Sequence, residues 1–327
     1  MKTTILVACV AALLPAGALA ATPPPASAAK PDPSDMFAAP TQVDRVGRIV
    51  VQVFINGKGP FRFLVDTGAD GSMISRALVN TLGLSSNHTS DVQVQGTTGV
   101  EQLPCVTIDD LRIGSIVKHN MHMPVSPSPV MTGLGGILGL AGFGPVRVLV
   151  NFRRNRVEIE PSSDRRVEGY LGIQARRTSG GLLMVPAVVG DVPVEAVIDT
   201  GAAETLGNTA LREALLRSAA RHPEDARIYG VTRQIGDGGI STSPWLTLGP
   251  VVVQSLGIVY SDIPIFKIWH LDSQPALIIG MNVLGSVDAL VLDYPRAQVY
   301  VRPQQMGISI DKDYEASHIE HEFDDGN

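Results

Sequence analysis

The sequence predicts a mainly β protein: two lobes of one architecture in a single chain, related by a pseudo-twofold axis, with a cleft between them. Three observations predict it. Short runs rich in Val, Ile and Leu, separated by turn residues, dominate the 327-residue chain, and that is the grammar of strands. The tetrapeptide Asp66-Thr67-Gly68-Ala69, behind the apolar run Phe63-Leu64-Val65, returns as Asp199-Thr200-Gly201-Ala202 behind Ala196-Val197-Ile198. The same offset of 133 (199 − 66) carries Gly57 to Gly190, Pro60 to Pro193 and Ala77-Leu78 to Ala210-Leu211. Farther on, Ile137-Leu138-Gly139 answers to Ile278-Ile279-Gly280 at an offset of 141, and Val150-Asn151-Phe152 to Leu292-Asp293-Tyr294 at 142. Each half is one structural unit used twice, with a short net insertion between Leu211 and Ile278.

From the start of the chain, residues 1–20 have the parts of a secretory signal: Lys2, an apolar stretch from Ile5 to Leu14, and the small-residue site Ala18-Leu19-Ala20. Pro15, Gly17 and the shortness of the stretch argue against a permanent membrane span. Leu6-Val7-Ala8-Cys9 has the letters of a lipid-attachment box, but Cys9 lies too near the start to leave an apolar region before it. Loss of the signal would leave Cys105 without a disulfide partner, which suits an exported, periplasmic or secreted protein of a bacterial envelope. Residues 21–44, rich in Pro, Ala and Ser, read as a disordered leader.

The first lobe is expected over residues 45–160. A strand from Ile49 to Ile55 ends at Asn56-Gly57, a strong hairpin signal, and Phe61 to Val65 returns as its partner carrying Asp66. Ser75 caps a short helix from Arg76 to Leu82 that stops at Gly83. Val92-Gln93-Val94 and Leu103-Pro104-Cys105-Val106 flank Gly96-Thr97-Thr98-Gly99 as a second hairpin. The arginines of Arg153-Arg154-Asn155-Arg156 and Arg165-Arg166 surround the junction near Pro161 to Glu168, and a turn and a solvated linker explain them more simply than a phosphate site. The second lobe, 168–303, repeats the order with Leu182 to Val189, a turn at Gly190, and Val194 to Ile198. A longer helix follows from about Thr209 to Ala220, capped by Asn208 or Thr209, with Leu211, Leu215, Leu216 and Ala219 on its apolar face. Residues 304–327 form an acidic, disordered tail.

Several function classes are disfavoured. A net charge of −6 without a long basic run argues against nucleic acid. His119 and His122, like His318 and His321, are three residues apart, but no third ligand is spaced to join them, so no metal or other cofactor is expected. Gly133-Leu134-Gly135-Gly136 lacks the lysine and hydroxyl residue of a phosphate loop. Trp245 and Trp269 read as core or core rim, with the wall of a cleft as the alternative for Trp269-His270, which precedes the Ile278 motif.

What remains is the pair of aspartates. One Asp-Thr-Gly is an ordinary turn at the mouth of a strand; two of them on a pseudo-twofold axis bring Asp66 and Asp199 together. Like charges at hydrogen-bonding distance cannot both ionise, so the pair holds one proton. One carboxylate then accepts a proton from water while the other protonates a substrate carbonyl. Gly68 and Gly201 allow the backbone to approach the carboxylates, and Thr67 and Thr200 are placed to hydrogen-bond across the axis.

This constellation resembles the aspartic proteases, and Ala69 and Ala202 after each Asp-Thr-Gly make it similar to the retroviral-type (retropepsin-like) branch, as found in bacterial aspartyl proteases with two tandem lobes. The resemblance covers roughly residues 45–160 and 168–303. It implies two retropepsin-like β-barrel lobes, an Asp66/Asp199 dyad, peptide or protein substrates, and a monomer that is an intramolecular pseudo-dimer. It also implies that Asp70 holds substrate main chain and that Gly96-Thr97-Thr98-Gly99 and Gly236-Asp237-Gly238-Gly239 are substrate-covering flaps, with a plain surface turn as the alternative for each. The halves have diverged: Met281-Asn282 follows the second Ile-Ile-Gly, whereas Leu140-Ala141-Gly142 follows the first, leaving the first half's next helix open. A catalytically silent peptide-binding module is the alternative function.

Overall fold

Asn56 and Gly57 both take positive φ, 49° and 74°, which is what a tight two-residue hairpin turn requires. They join the strands Ile49–Ile55 and Lys58–Asp66. The computed structural model describes residues 3–6, 10–14, 37–44, 47–85, 87–164, 168–178, 180–216 and 224–304. Around that hairpin the first lobe builds one sheet that closes on itself. Its order is Val10–Leu14, Asn87–Gly96, Gly99–Ile113, Ile116–Ser126, Met73–Ser75, Gly136–Gly139, Lys58–Asp66, Ile49–Ile55 and Gln42–Val43, with Ile55 pairing back to Leu111. The second lobe repeats this topology with Thr3–Leu6, Glu224–Tyr229, Ile235–Leu248, Val251–Tyr260, Thr205–Gly207, Ala276–Ile279, Val192–Ile198, Leu183–Val189 and Arg176–Arg177, closed by Val189 against Leu246.

A third sheet joins the lobes. Its six strands run Leu171–Gln174, Gln298–Pro303, Val287–Asp293, Val146–Asn151, Arg156–Pro161 and Phe37–Pro40. The central contact is antiparallel, with Leu149 opposite Val291. Every residue of Val287–Asp293 is buried, as expected for a strand covered on both faces. The result is a mainly β, two-lobed molecule, as the repeat predicted.

Local signals placed the helices well. Ser75 accepts a hydrogen bond from the Leu78 N–H (3.2 Å), and Gly83 ends the helix Arg76–Leu82 in the left-handed conformation. In the second lobe Asn208, rather than Thr209, supplies the cap: its Oδ1 accepts from the Leu211 N–H at 2.9 Å. That helix is described over Thr209–Leu216; positions 217–220, including Ala219, and the Leu216 side chain lie outside the described residues. After the two Ile-Leu/Ile-Gly motifs the halves differ, with a 3-10 turn Leu140–Phe143 in the first and a helical turn Met281–Leu284 in the second. Part of the second lobe's extra length is the helix Pro264–Ile268, where the first lobe has the 3-10 turn Pro129–Met131.

The leader requires a correction. Phe37–Pro40 and Gln42–Val43, assigned above to a disordered segment, are strands: the first pairs with Arg156–Ile159 and the second with Ile49 and Val50. Phe37–Pro40 takes the sheet edge that Leu171–Gln174 takes for the other lobe. A composition averaged over the whole leader hides a strand this short. Thr3–Leu6 and Val10–Leu14, inside the expected signal, lie at the sheet edges beside Glu224–Tyr229 and Asn87–Gly96. Cys9, the site Ala18-Leu19-Ala20, residues 165–167 of the junction and the tail from 305 onward lie outside the described residues.

Candidate active site

Each Asp-Thr-Gly loop begins where a strand ends beside a parallel neighbour. Gly139 pairs with Asp66 at the end of one such ladder, and Ile279 with Ile198 at the end of the other. The glycines beneath the loops are required by contact: a Cβ on Gly139 would lie 2.3 Å from the Gly71 carbonyl oxygen, and one on Gly280 2.5 Å from that of Glu204. The loops are then tied to these strands. Gly139 N–H donates to Ser72 Oγ and Gly280 N–H to Thr205 Oγ1, both at 3.2 Å. In the second lobe Asn282 adds a brace that Ala141, at the equivalent position, cannot supply, accepting from Thr205 Oγ1 (2.7 Å) and donating to Glu204 Oε2 (2.8 Å) and the Gly257 carbonyl (3.1 Å).

The two loops meet through their threonines. Thr67 N–H donates to Thr200 Oγ1 (3.2 Å) and Thr200 N–H to Thr67 Oγ1 (3.1 Å). Each hydroxyl in turn donates to the opposite strand, Thr67 Oγ1 to the Ile198 carbonyl (2.9 Å) and Thr200 Oγ1 to the Val65 carbonyl (2.7 Å). These four bonds are fully buried and hold the two lobes in one register.

Within this clamp Asp66 and Asp199 are both 0% exposed, close enough that the charge of one carboxylate acts on the other. Gly68 N–H donates to Asp66 Oδ1 at 2.9 Å, while Asp199 Oδ1 accepts from Gly201 N–H at 2.7 Å and Ala202 N–H at 3.2 Å. A Cβ on Gly68 would stand 2.5 Å from Asp199 Cγ, so only glycine lets the second carboxylate approach the first loop. Burial, and next the Asp199 carboxylate, hold Asp66 well above the usual carboxylate range; the Gly68 N–H and the Arg48 guanidinium pull the other way. Burial and the Asp199 charge both favour the protonated form of Asp66 over that of an isolated aspartate.

Two neighbours of the dyad were not singled out from sequence. Arg48 is 3% exposed, ion-paired with Asp44 through Nη2 at 2.7 Å. Tyr294 is fully buried, its hydroxyl held far above the ordinary phenol range by burial and then by the two aspartates.

Two hairpins meet across the lobes. Thr97 and Thr98 form the tip of the first, between Gly96 and Gly99, which pair. The second tip is a correction. Gly236, Asp237, Gly238 and Gly239 lie within the strand Ile235–Leu248, paired with Ile228, Arg227, Ala226 and Asp225, and the reversal occurs earlier, over Gly230–Gln234. Glycine density misled, since Gly238 is there for a close approach to the Tyr260 carbonyl oxygen, 2.8 Å from its would-be Cβ. The tips touch through Thr98 Oγ1 and Thr232 Oγ1 at 3.3 Å, and Arg233 N–H donates to Glu101 Oε2 at 2.9 Å. Ser126 Oγ donates to the Val231 carbonyl (2.7 Å) and Ser128 Oγ to the Gly230 carbonyl (2.5 Å).

Asp70 ends the first loop, partly buried, with its carbonyl oxygen against Gly142. His119 and His122 sit on an exposed hairpin beside Asp110 and Thr107, and His318 and His321 lie outside the described residues. Trp269 is in the second-lobe core, while Trp245 is 38% exposed. Cys105 is buried, its thiol pushed up to about 11 by burial and then by Asp91, which suits a core side chain rather than a nucleophile. Among the described residues no helix is long and apolar enough to cross a membrane.

A family model described as Aspartyl protease matches the chain twice, over residues 51–141 and 185–283. Comparison with curated proteins gives no match.

Proposed function

The chain belongs to the aspartyl protease family, and on that premise we propose that it is an exported aspartic endopeptidase in which Asp66 and Asp199 activate water against a peptide bond. The observation that supports this reading is the threonine clamp, which holds the two lobes' loops together with Asp66 and Asp199 buried side by side, an arrangement in which the pair would share one proton. Water held between the carboxylates loses a proton to the ionised one as its oxygen attacks the peptide carbonyl carbon. The protonated carboxyl gives its proton to the carbonyl oxygen, and a tetrahedral diol forms. Collapse of the diol breaks the C–N bond: the leaving nitrogen takes the proton first removed from water, and a diol hydroxyl returns a proton to the other carboxylate, which leaves the carboxylic acid and restores the dyad. The chemistry needs neither a metal nor a covalent intermediate. Main-chain N–H groups on each carboxylate fix its orientation before substrate arrives.

Incubation of the purified protein, freed of residues 1–20, with a complex peptide mixture from pH 3 to 7, with cuts identified by mass spectrometry, tests the reading. Cleavage is expected in the mildly acidic range, and Asp66→Asn and Asp199→Asn should each abolish it while leaving the fold intact. Uncut peptides at every pH would favour a peptide-binding module, and near wild-type turnover in either variant would remove the dyad.

A further inference from the structure

The turn that leads into Ile49–Ile55 is repeated ahead of Leu183–Val189, and only one of the two copies carries charge. In the first lobe Asp44 N–H donates to the Arg48 carbonyl (2.9 Å), Gly47 N–H to the Asp44 carbonyl (3.2 Å) and Arg48 N–H to Asp44 Oδ1 (2.9 Å). In the second lobe Thr178 N–H donates to the Leu182 carbonyl (2.9 Å), Gly181 N–H to the Thr178 carbonyl (2.9 Å) and Leu182 N–H to Thr178 Oγ1 (3.0 Å). The same three bonds thus close with a neutral threonine and an aliphatic leucine, so the turn itself needs neither a carboxylate nor a guanidinium. What the first copy adds is an ion pair, with Arg48 Nε and Nη2 on Asp44 Oδ2 at 2.8 and 2.7 Å. Both side chains are nearly or fully buried, and taking such a pair out of water is weak support for a fold. The reason for the charge lies outside the turn.

Val50 lies opposite Leu64, and two further steps along that ladder set Arg48 beside Asp66. Met184 opposite Val197 sets the fully buried Leu182 beside Asp199 in the same way. Asp44 takes one edge of the guanidinium, and Nη1 on the far side is buried with no hydrogen-bond partner among the described residues. We propose that Arg48 is a positioning residue for the dyad's charge: it is a fixed counter-charge that stabilises the singly ionised dyad from the first lobe alone, and Asp44 sets its strength by offsetting part of it. The proposal rests on reading Asp66 and Asp199 as the reacting pair. Two charges act on Asp66, those of Asp199 and Arg48, and of these only Arg48 favours the ionised form. Tyr294, the other titratable group at the dyad, is kept neutral by burial and by both carboxylates. Arginine stays protonated wherever aspartates titrate, so its effect does not fade with pH. Leu182 has no charge to give from the other side.

Three variants and two readouts test this on the full chain. Arg48→Met removes the counter-charge and Asp44→Asn removes the group that offsets it, so two changes that break one ion pair should move the dyad in opposite directions. The acidic limb of the pH profile of kcat/KM should rise by about one pH unit in Arg48→Met, the size expected when one opposite charge near a carboxylate is lost. In Asp44→Asn it should fall. Arg48→Lys restores a positive charge without the fork and should return the limb most of the way to wild type. Carbon-13 NMR titration of the aspartate carboxyls without peptide should give the same order of variants, and it does not depend on turnover. A pair that only braced the turn would lower stability alike in Arg48→Met and Asp44→Asn and leave both titrations in place. Unmoved titrations in either of these variants, movement of both in one direction, or a lysine variant that titrates like the methionine one would each overturn the proposal. Should Arg48→Met fail to fold, the direction of the shift in Asp44→Asn decides. If the carboxyl titrations move as expected while wild type cuts no peptide at any pH, the endopeptidase reading fails and the counter-charge stands. Peptide cleavage with unmoved titrations gives the reverse result.

Discussion

A carboxyl group buried beside a second one is neutral by preference, and that preference reaches beyond catalysis to stability. Folding raises the Asp66 value above the ordinary 3.8, so the folded state binds its proton more tightly than the unfolded chain does. The stabilisation is complete below the ordinary value and is lost as pH rises through the raised one. Asp66→Asn stays neutral throughout, so it should melt at least about 2–4 °C above wild type at pH 7.5, a shift worth about 1 kcal/mol in a domain of this size. The gap should close toward pH 4, and thermal melts across that range check it; a pH-independent gap would mean the two carboxylates do not share a proton. Gly68→Ala should abolish cleavage by driving a methyl group into Asp199. Asp66, Thr67, Gly68 and their partners were legible because the motif is repeated and its chemistry is local. Arg48 was not. Counting back from the Asn56-Gly57 turn places residue 47 opposite Asp66, but an irregularity between Val53 and Ile55 shifts the register by one and brings Arg48 there instead. The second lobe puts Leu182 opposite Asp199 by the same continuation of its ladder, so the charge beside the dyad is one-sided, which no motif reports.

At the scale of elements, the clamp between the two loops is the contact whose loss is easiest to measure. Thr200→Val removes the donor to the Val65 carbonyl and the acceptor of the Thr67 N–H, leaving two buried backbone groups unsatisfied. The expected destabilisation is about 2–5 kcal/mol, read by denaturant unfolding, and Thr67→Val should match it because the bonds are reciprocal. An unchanged midpoint in both would show that the lobes are held together elsewhere. Hairpins and helices with their own punctuation were legible at this scale: the Asn56-Gly57 turn, the Ser75 cap and the Gly83 stop are all local signals. Elements whose position depends on a distant partner were not. Phe37–Pro40 becomes a strand because the sheet offers it an edge, and the second hairpin turns at Gly230–Gln234 because the first lobe grips that segment. The four-residue glycine motif downstream carried a louder sequence signal than the real turn.

The whole molecule is a dimer written into one chain, and the third sheet shows where the two copies join. Three of its strands, Leu171–Gln174, Gln298–Pro303 and Val287–Asp293, come from the second lobe, and Val146–Asn151, Arg156–Pro161 and Phe37–Pro40 from the first. The strands therefore do not interleave, and a cut near Ser163 leaves each lobe with its own three. What the cut exposes is one long unpaired edge on each half, at Val146–Asn151 and at Val287–Asp293, together with half of the threonine clamp. Such an edge invites pairing. The pseudo-twofold axis passes through Leu149 and Val291, which face each other and are equivalent positions of the repeat. A second copy of the first half can meet the first across that axis with Leu149 opposite Leu149, bringing two Asp66 carboxylates and two Thr67 hydroxyls into the places now held by the pair from different lobes. Residues 37–162 alone should thus be inactive when dilute, because a single carboxylate has no partner for its proton, and should gain peptide cleavage steeply with concentration as copies pair. Mixing the two halves should restore more activity than either gains by itself, since the Ser126 and Ser128 hydroxyls and their Gly230 and Val231 acceptors then come together again. Sedimentation and peptide cleavage measured over the same concentration range check this, and full activity of one half while it sediments as a monomer would contradict the shared-site architecture.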